Sequence, residues 1–197
     1  ASAYQDWLGY SISASDLDGD GAEEFALGAP LVDSVESSGG SVYVLPGGTY
    51  MGSYDVSTVA QLEIAGSHTS GKAGSAIALG DLNADGLGDL IVGAPYAQGA
   101  YSQAGAAYVF WDILAYTGMH EATEADIALQ GTSSAAHLGE TLLVHDLNAD
   151  GVDDLFAPPL EPQCSEDLSE EVCNTLASCR FISGKCRDAK NVDDAAR

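Results

Sequence analysis

Short apolar runs separated by small and polar residues make up most of the first 160 residues of this chain. In the first 65 residues such runs span 10–14, 24–27, 41–45 and 60–64, and segments that contain Gly, Ser and Pro separate them. Runs of this length are too short for core helices, and their spacing is typical of β-strands joined by tight turns. The pattern therefore predicts an all-β fold.

The same pattern returns at an interval of 65 residues. The recurring elements are Leu8-Gly9, Ala73-Gly74 and Leu138-Gly139; Gly28-Ala29-Pro30 and Gly93-Ala94-Pro95; and Val42-Tyr43-Val44 and Ala107-Tyr108-Val109. Residues 1–65 and 66–130 are complete units, and residues 131–160 supply the first half of a third. Four antiparallel strands per unit are typical of a β-propeller blade, so we expect two complete blades and one partial blade over residues 1–160.

An acidic loop follows the first predicted strand of each unit. Side-chain oxygens at loop positions 1, 3, 5 and 9, with a backbone carbonyl at position 7, form the oxygen-only shell that Ca²⁺ prefers. The predicted ligands are Asp16, Asp18, Asp20, Ala22 and Glu24, then Asp81, Asn83, Asp85, Leu87 and Asp89, then Asp146, Asn148, Asp150, Val152 and Asp154. The sequence therefore predicts three Ca²⁺ sites, one per unit.

The three acidic loops have two alternative interpretations besides Ca²⁺ sites between strands. An EF-hand needs a bidentate Glu at position 12, where this chain has Leu27, Val92 and Ala157, and a short apolar run follows each loop instead of a helix. Three acidic surface turns without a cation are the other alternative. Three copies in register, each with Gly at position 6 (Gly21, Gly86, Gly151), favour cation sites over chance turns.

In the order Leu-Gly, acidic loop, Gly-Ala-Pro and Gly-x-x-Tyr-Val, residues 1–160 resemble the FG-GAP repeat of integrin α-subunit β-propellers. The resemblance implies that each cation loop joins the first two strands of a blade and stiffens one face of the propeller. Two positions depart from the family pattern. Leu or Ala replaces the Phe of the name motif, and Pro158-Pro159 stands where the third unit should have Gly-Ala.

Two and a half blades do not close a propeller, because closure needs at least four. The sequence therefore predicts an open sheet edge and an uncovered apolar blade face. The chain could be a fragment of a longer protein, a short stack capped by its own termini, or a subunit whose neighbours complete the missing blade by strand addition. We take the third as the working hypothesis, with a head-to-tail filament as its consequence.

The charge of the chain narrows the range of partners. Six Lys and Arg against 30 Asp and Glu give a formal charge of −24, which argues against nucleic-acid or anionic-membrane binding. No apolar run is long enough for a membrane span, so we expect no membrane insertion. We interpret Ala1 as a mature terminus left by removal of a signal peptide.

The tail over residues 161–197 differs in composition from the repeats. All four cysteines, Cys164, Cys173, Cys179 and Cys186, lie there, and their spacing lacks the Cys-x-x-Cys pairs typical of zinc modules. We predict two disulfides, for which three pairings are open, and a helix over residues 165–177 followed by a Cys-rich loop. Disulfides together with calcium motifs indicate an extracellular location.

Catalytic motifs are not evident. His68, His120, His137 and His145 are scattered, and the repetition of the carboxylates is explained by metal sites, so we do not expect an enzyme. The predicted function is a calcium-stabilised extracellular structural or adhesion protein that self-associates or binds an extracellular protein or glycan. The alternative is a ligand-binding ectodomain fragment of an integrin-like receptor, with loop tyrosines as contacts (Tyr50, Tyr54, Tyr96, Tyr101, Tyr116).

Overall fold

The computed structural model describes residues 6–157 and the backbone of two short strands in the tail. The chain divides into two compact units, Ala1–Pro159 and Leu160–Arg197. The first unit is all-β, as the apolar pattern predicts, and its strands form three sheets that follow one another along the chain. No helix in the described part of the chain has the length and apolar character needed to span a membrane.

The first sheet contains the four strands expected for unit one. They are β1 (Ser11–Ser15), β2 (Glu24–Ala29), β3 (Ser41–Leu45) and β4 (Leu62–Ala65), and neighbouring strands pair antiparallel. A single-turn helix, α1 (Val56–Val59), lies between β3 and β4, and the Asp55 side chain caps it by accepting from the Ser57 amide. Each strand is short because a turn residue follows it, so the chain reverses at both ends of the sheet.

The second sheet repeats this arrangement with β5 (Ala76–Gly80), β6 (Asp89–Ala94), β7 (Ala106–Phe110) and β9 (Ile127–Gln130). Between β7 and β9 the chain forms two 3₁₀ turns, Ile113–Ala115 and Ala122–Glu124, on either side of β8 (Gly118–Glu121). Strand β8 leaves its own unit and pairs in parallel with β4. The outer edge of the first sheet is therefore closed by a segment of the second unit, which the sequence pattern did not predict.

The third sheet has two strands, β10 (Leu143–His145) and β11 (Asp154–Phe156). In the tail, β12 (Cys179–Ile182) and β13 (Lys185–Asp188) pair as an antiparallel hairpin. The predicted Cys-rich loop is therefore wrong at these residues, where chain reversal between two short runs produces strands. The predicted helix over 165–177, Cys164 and Cys173 lie outside the described residues, and the disulfides remain a prediction.

The three sheets of the first unit stack face to face, and this stacking forms the core. One face of the first sheet packs on the preceding face of the second, and the opposite face of the second packs on the third. The first interface buries Ala26, Val42, Val44, Leu62, Ile64, Ile77, Leu90, Val92, Tyr108 and Phe110. The second interface buries Ala78, Ile91, Ala107 and Val109 against Leu142, Val144 and Leu155. Within the described residues, only the second sheet packs against another sheet on both faces.

Exposure at equivalent repeat positions shows where the stack is open. Ile77 at the first interface is 8% exposed, whereas Ile12, one repeat earlier, is 63% exposed. Ile91 at the second interface is 0% exposed, whereas Phe156, one repeat later, is 52% exposed. The first and third sheets therefore each leave part of an apolar face exposed within the described residues. On the first sheet, Val56 and Val59 of α1 pack against the buried Tyr43 and Leu45, and the exposed part of that face lies at Ile12.

Glycines allow the backbones of neighbouring sheets to approach closely. A Cβ at Gly93 would lie 2.1 Å from the Gly139 carbonyl oxygen, and a Cβ at Gly28 would lie 2.1 Å from the Gly74 carbonyl oxygen. Within the second unit, the Gly74 amide donates to the Gly93 carbonyl oxygen at 3.0 Å. The glycine of each Gly-Ala-Pro motif thus packs against the glycine of the Ala-Gly or Leu-Gly motif of the next unit, and this contact explains why both motifs recur at the repeat interval.

Replacing Gly93 by Ala is expected to destabilise the protein by about 2 kcal/mol or more, because the methyl group meets backbone atoms that cannot move independently. Gly99→Ala is the matched control, since its methyl group would meet the flexible end of the Gln130 side chain. We expect the control to change the free energy of unfolding by about 0.5 kcal/mol or less. Chemical denaturation measures both, and equal stability of the two variants would contradict the close-approach argument.

Candidate calcium loops

The three acidic loops lie at the same end of the stacked sheets. They join β1 to β2, β5 to β6 and β10 to β11, which are the first two strands of each sheet. Because antiparallel strands alternate in direction, the connection from β3 to β4 lies at this end too, and the connections from β2 to β3 and from β4 to β5 lie at the other end. The sheets thus have an acidic end and an opposite end that carries different loops.

The first loop brings three carboxylates together. Ligand oxygens of Asp16, Asp18 and Glu24 lie within 4.8 Å of one another. Asp20 lies outside this group, and its Oδ1 accepts the Ala22 amide at 2.7 Å. Three converging carboxylates repel one another unless a cation lies between them. The loop therefore has the charge and the donor atoms that a hard divalent cation requires.

Backbone amides hold the position 1 carboxylate in the same way in all three loops. Asp16 Oδ2 accepts the Gly21 amide at 3.1 Å, and the corresponding bonds from Gly86 to Asp81 and from Gly151 to Asp146 are each 2.9 Å. The three glycines have φ of 90°, 84° and 91°, the left-handed region that a side chain disfavours. Glycine at position 6 thus aims its amide at the first predicted ligand.

The side chain at position 3 also accepts a bond from within its own loop. Asp18 Oδ1 accepts the Asp20 amide at 3.0 Å, Asn83 Oδ1 accepts the Asp85 amide at 3.0 Å, and Asn148 Oδ1 accepts the Asp150 amide at 2.8 Å. An amide oxygen thus replaces one carboxylate oxygen in the second and third loops without changing the hydrogen-bond pattern. At the predicted ligand positions, each of these two loops carries one negative charge fewer than the first.

The carboxylate at position 9 fastens each loop to its sheet. Glu24, Asp89 and Asp154 accept the amide of position 2 (Leu17, Leu82, Leu147) at 2.8, 2.8 and 3.0 Å. The second oxygen of Glu24 accepts the Gly47 amide at 3.0 Å, and that of Asp89 accepts the Asp112 amide at 3.1 Å. Gly47 and Asp112 are one repeat apart, but the motif spacing within a loop does not predict this contact, because it joins residues 23 positions apart.

Burial and neighbouring charge act against ionisation of Asp89. Desolvation raises the pKa of the fully buried Asp89 carboxyl, and the Asp81 and Asp85 carboxylates raise it further, while bonds from the Leu82 and Asp112 amides lower it. In the exposed third loop, bonds from backbone amides, that of Gly151 foremost, lower the pKa of Asp146. A bound cation would favour the ionised form at both positions.

The donor set fits Ca²⁺ better than a softer metal. Every side chain predicted as a ligand offers oxygen, and no Cys or His lies within the loops. At position 7, the Ala22, Leu87 and Val152 amides donate to the position 5 carboxylate at 2.7, 2.8 and 2.9 Å. The carbonyl groups of these three residues remain predicted ligands.

The opposite end of the sheets carries the positive charge of this unit. Lys72 is the single Lys or Arg before Arg180, and its ammonium lies 4.2 Å from the centroid of the Tyr96 ring. The His137 ring contacts the same tyrosine at a centroid distance of 4.7 Å. Within the described residues, His137 Nε2 is buried without a hydrogen-bond partner. We call Lys72, Tyr96 and His137 the Tyr96 cluster. They lie in three different connections, between β4 and β5, between β6 and β7, and between β9 and β10.

Comparison with known proteins gives two groups of relatives. The chain is 31% identical over 165 residues to phosphatidylinositol-glycan-specific phospholipase D of Dictyostelium discoideum, covering 76% of this chain and 17% of the relative. It is 34% identical over 161 residues to the human protein of that name, covering 77% and 19%. It is 39% identical over 110 residues to integrin alpha-5 of Xenopus laevis, covering 53% and 10%. The chain thus spans less than a fifth of the length of each of these relatives.

A family model described as the FG-GAP repeat matches residues 8–45 and 73–110. Each match runs from the Leu-Gly or Ala-Gly motif through the acidic loop to the third strand of a sheet, so it contains the first two candidate calcium loops. The match and the integrin relatives confirm the resemblance that the motif order predicts. The chain therefore contains FG-GAP repeats at residues 8–45 and 73–110.

Proposed function

We propose that the repeats form a calcium-stabilised recognition and adhesion module of an extracellular protein. The observation that carries this proposal is the convergence of Asp16, Asp18 and Glu24 within 4.8 Å in a loop that recurs in register. A ligand-binding ectodomain fragment of an integrin-like receptor was the alternative expectation from the sequence, and the integrin relatives support it over a purely structural role.

Calcium binding at all three loops is the first step of the proposal. The loops hold ten Asp and Glu side chains at the predicted ligand positions of a chain with formal charge −24. Folding brings these carboxylates together, so their repulsion opposes folding until cations occupy the loops. A cation that binds the folded loop and not the unfolded chain stabilises the fold by mass action. We assign Ca²⁺ the role of holding the acidic end rigid.

Recognition at the opposite end is the second step. Loops positioned by a rigid scaffold are common binding surfaces, and this end combines the Tyr96 cluster with the exposed ring of Tyr101. Aromatic rings contact sugar and peptide groups alike, and Lys72 adds a charge opposite to that of the rest of the unit. We propose an extracellular protein or glycan as the ligand.

A non-catalytic role is proposed for this part of the chain. The phospholipase D relatives are named as enzymes, but each aligns over less than a fifth of its length. Among the described residues the histidines stand apart, with His120 bonded to Glu124 and His137 near Glu140. His145 lies on β10 opposite Asp154, where it borders a loop carboxylate. An extracellular location and disulfides among the tail cysteines complete the proposal.

Self-association through the exposed parts of the outer sheet faces is a second candidate function. Each of these outer faces is the repeat equivalent of a face that is buried at an interface between sheets. Ile12 occupies the repeat position of Ile77, and Phe156 occupies that of Ile91. The preceding face of the first sheet of one copy would cover the following face of the third sheet of another. Such contacts are head to tail, so copies would continue into a filament unless the rotation closes a ring.

Chelation of calcium is expected to lower the midpoint of thermal unfolding by about 10 °C or more, since each site adds about 2.7 kcal/mol when free Ca²⁺ is a hundredfold above its dissociation constant. Calorimetry with Ca²⁺, with Mg²⁺ and with chelator measures this change. Mg²⁺ is expected to restore less stability, because it requires tighter octahedral geometry. Identical unfolding in all three conditions would contradict structural calcium sites.

Asp16→Asn is expected to reduce the number of bound Ca²⁺ ions from three to two, because the amide nitrogen replaces one of the two oxygens that face the Gly19 and Gly21 amides. Glu23→Gln is the matched control, since Glu23 is an exposed carboxylate of the same loop outside the predicted ligand set. Isothermal titration calorimetry gives both stoichiometries. Loss of a site in the control, or three sites in Asp16→Asn, would contradict the ligand assignment.

Ile12→Lys is expected to reduce self-association in calcium, because it places a charge on the open face of the first sheet. Met51→Lys is the control, since Met51 is 79% exposed in the connection between β3 and β4. Light scattering over a range of protein concentrations measures the native mass. A monomer at every concentration in the unmodified protein would rule out self-association while leaving the calcium and recognition steps intact.

A further inference from the structure

The geometry points to Asp153 as a positioning residue that couples the third calcium loop to the second, an inference that rests on the proposed calcium sites. Asp153 lies at position 8 of the third loop, outside the predicted ligand set. Its Oδ2 accepts the Asp81 amide at 3.2 Å, and its own amide donates to the Asp81 carbonyl oxygen at 3.4 Å. The two residues, 72 positions apart, thus exchange a pair of hydrogen bonds.

Each partner in this pair is part of a candidate cation site. Asp81 is the first ligand of the second loop, and its carboxylate accepts the Asp85 and Gly86 amides at 3.2 and 2.9 Å. A shift of the Asp81 backbone therefore moves a ligand and the amides that orient it. Fixing Asp81 from outside prepares the second loop for its cation.

Asp153 is in turn held by the third loop. The residue before it, Val152, donates its amide to Asp150 at 2.9 Å, and the residue after it, Asp154, accepts the Leu147 amide at 3.0 Å. Positions 7 and 9 of the third loop therefore flank Asp153 in sequence, and each is held by a hydrogen bond within the loop. A cation in the third loop would order these positions and, with them, the carboxylate that faces Asp81.

The contact between Asp153 and Asp81 depends on a glycine at residue 80. A Cβ at Gly80 would lie 2.7 Å from Asp153 Oδ2 and 2.4 Å from a methyl carbon of Val144. Gly80 precedes Asp81 directly and occupies the repeat position of Ser15 and His145. A side chain at residue 80 would displace the Asp153 carboxylate, so the glycine and the aspartate belong to the same contact.

The first and second loops meet in a different way. Position 8 of the second loop is Gly88, and a Cβ there would lie 2.3 Å from the nearest Leu17 side-chain atom. This contact is apolar and does not involve a ligand carboxylate, and position 8 of the first loop is the exposed Glu23. Hydrogen-bonded coupling is therefore expected between the second and third loops and not between the first and second.

The test measures Ca²⁺ affinity at each loop separately. The amides of Gly21, Gly86 and Gly151 each donate to the position 1 carboxylate of their own loop, so ¹⁵N-glycine labelling gives one reporter per loop. Titration with Ca²⁺ is followed by NMR in the unmodified protein and in Asp146→Asn/Asp150→Asn, which disables the third loop. We expect this double substitution to weaken Ca²⁺ binding at Gly86 by about fivefold or more and to leave Gly21 unchanged.

The same comparison in an Asp153→Gly background isolates the contact. Gly is the residue that the second loop carries at this position, so the variant preserves a backbone that the repeat already accepts. We expect disabling the third loop to change the affinity at Gly86 by less than about twofold in this background. Glu23→Gln is the control for loss of a position 8 charge, and it should leave the coupling at its full value.

Asp153→Asn separates the hydrogen bond from the charge, since its amide oxygen still accepts the Asp81 amide. Lower affinity at Gly86 with the coupling retained supports a positioning role, whereas loss of the coupling in this variant overturns it. Full coupling in Asp153→Gly, or equal affinity at Gly86 whether or not the third loop is disabled, also overturns the inference and leaves the calcium sites standing. If no glycine reporter responds to Ca²⁺, the proposed function itself is wrong.

Discussion

Face-to-face burial between neighbouring sheets is the constraint on which this unit depends. A four-stranded sheet has two apolar faces here, and no sheet covers both by itself. The second sheet lies between two neighbours, and its Leu90, Ile91 and Val92 are all fully buried. At the same repeat positions, Ala26 of the first sheet, which faces the second, is fully buried, whereas Leu27 is half-buried and Phe156 of the third sheet is exposed, so burial follows the presence of a neighbouring sheet. The contacts of Gly28 with Gly74 and of Gly93 with Gly139 matter because they set how closely neighbouring sheets approach.

Because neighbouring strands are antiparallel, their connections alternate between the two ends of each sheet, and the two ends carry different residues. The connections at one end carry the acidic loops, and the connections at the other end carry the Tyr96 cluster. The strands between them are three to six residues long, so each strand directly links a connection at one end to a connection at the other. Under the proposed function, a cation that orders the acidic end would also hold the strands that carry the loops of the opposite end, which would give calcium a role in recognition without contact to the ligand.

Local signals in the sequence were enough to predict the strands and the loops. The apolar run over residues 41–45 coincides with β3 (Ser41–Leu45), and the glycine at position 6 has the positive φ that its position requires. Strand β8 was not predicted, because Gly-Met-His-Glu has no apolar alternation and its order comes from pairing with β4. The tail hairpin was likewise not predicted, because the Cys-rich composition favoured a loop and its two strands are defined by pairing with each other.

Contacts between distant residues account for what the sequence did not predict at the site. The amides of Gly47 and Asp112 donate the second hydrogen bond to the position 9 carboxylates of the first and second loops. These two residues occupy the same repeat position, but the spacing of residues within a single loop does not reveal this. Asp153 carries no repeat signal at all, since Glu23 and Gly88 occupy its position in the other loops. A repeat predicts what its copies share, whereas contacts between copies depend on the residues in which they differ.

The relatives indicate which property of the module is general. Alignments with the phospholipase D relatives cover 76–79% of this chain, and those with the integrin relatives cover 45–53%. Proteins named as a phospholipase D and as integrins are thus similar to the same repeats, so the repeats by themselves do not specify a reaction. In this chain, the repeats supply stacked sheets with acidic loops at one end and the Tyr96 cluster at the other. Because each alignment spans less than a fifth of the relative, most of each of these proteins lies outside the aligned repeats, and the named activities need not reside in them.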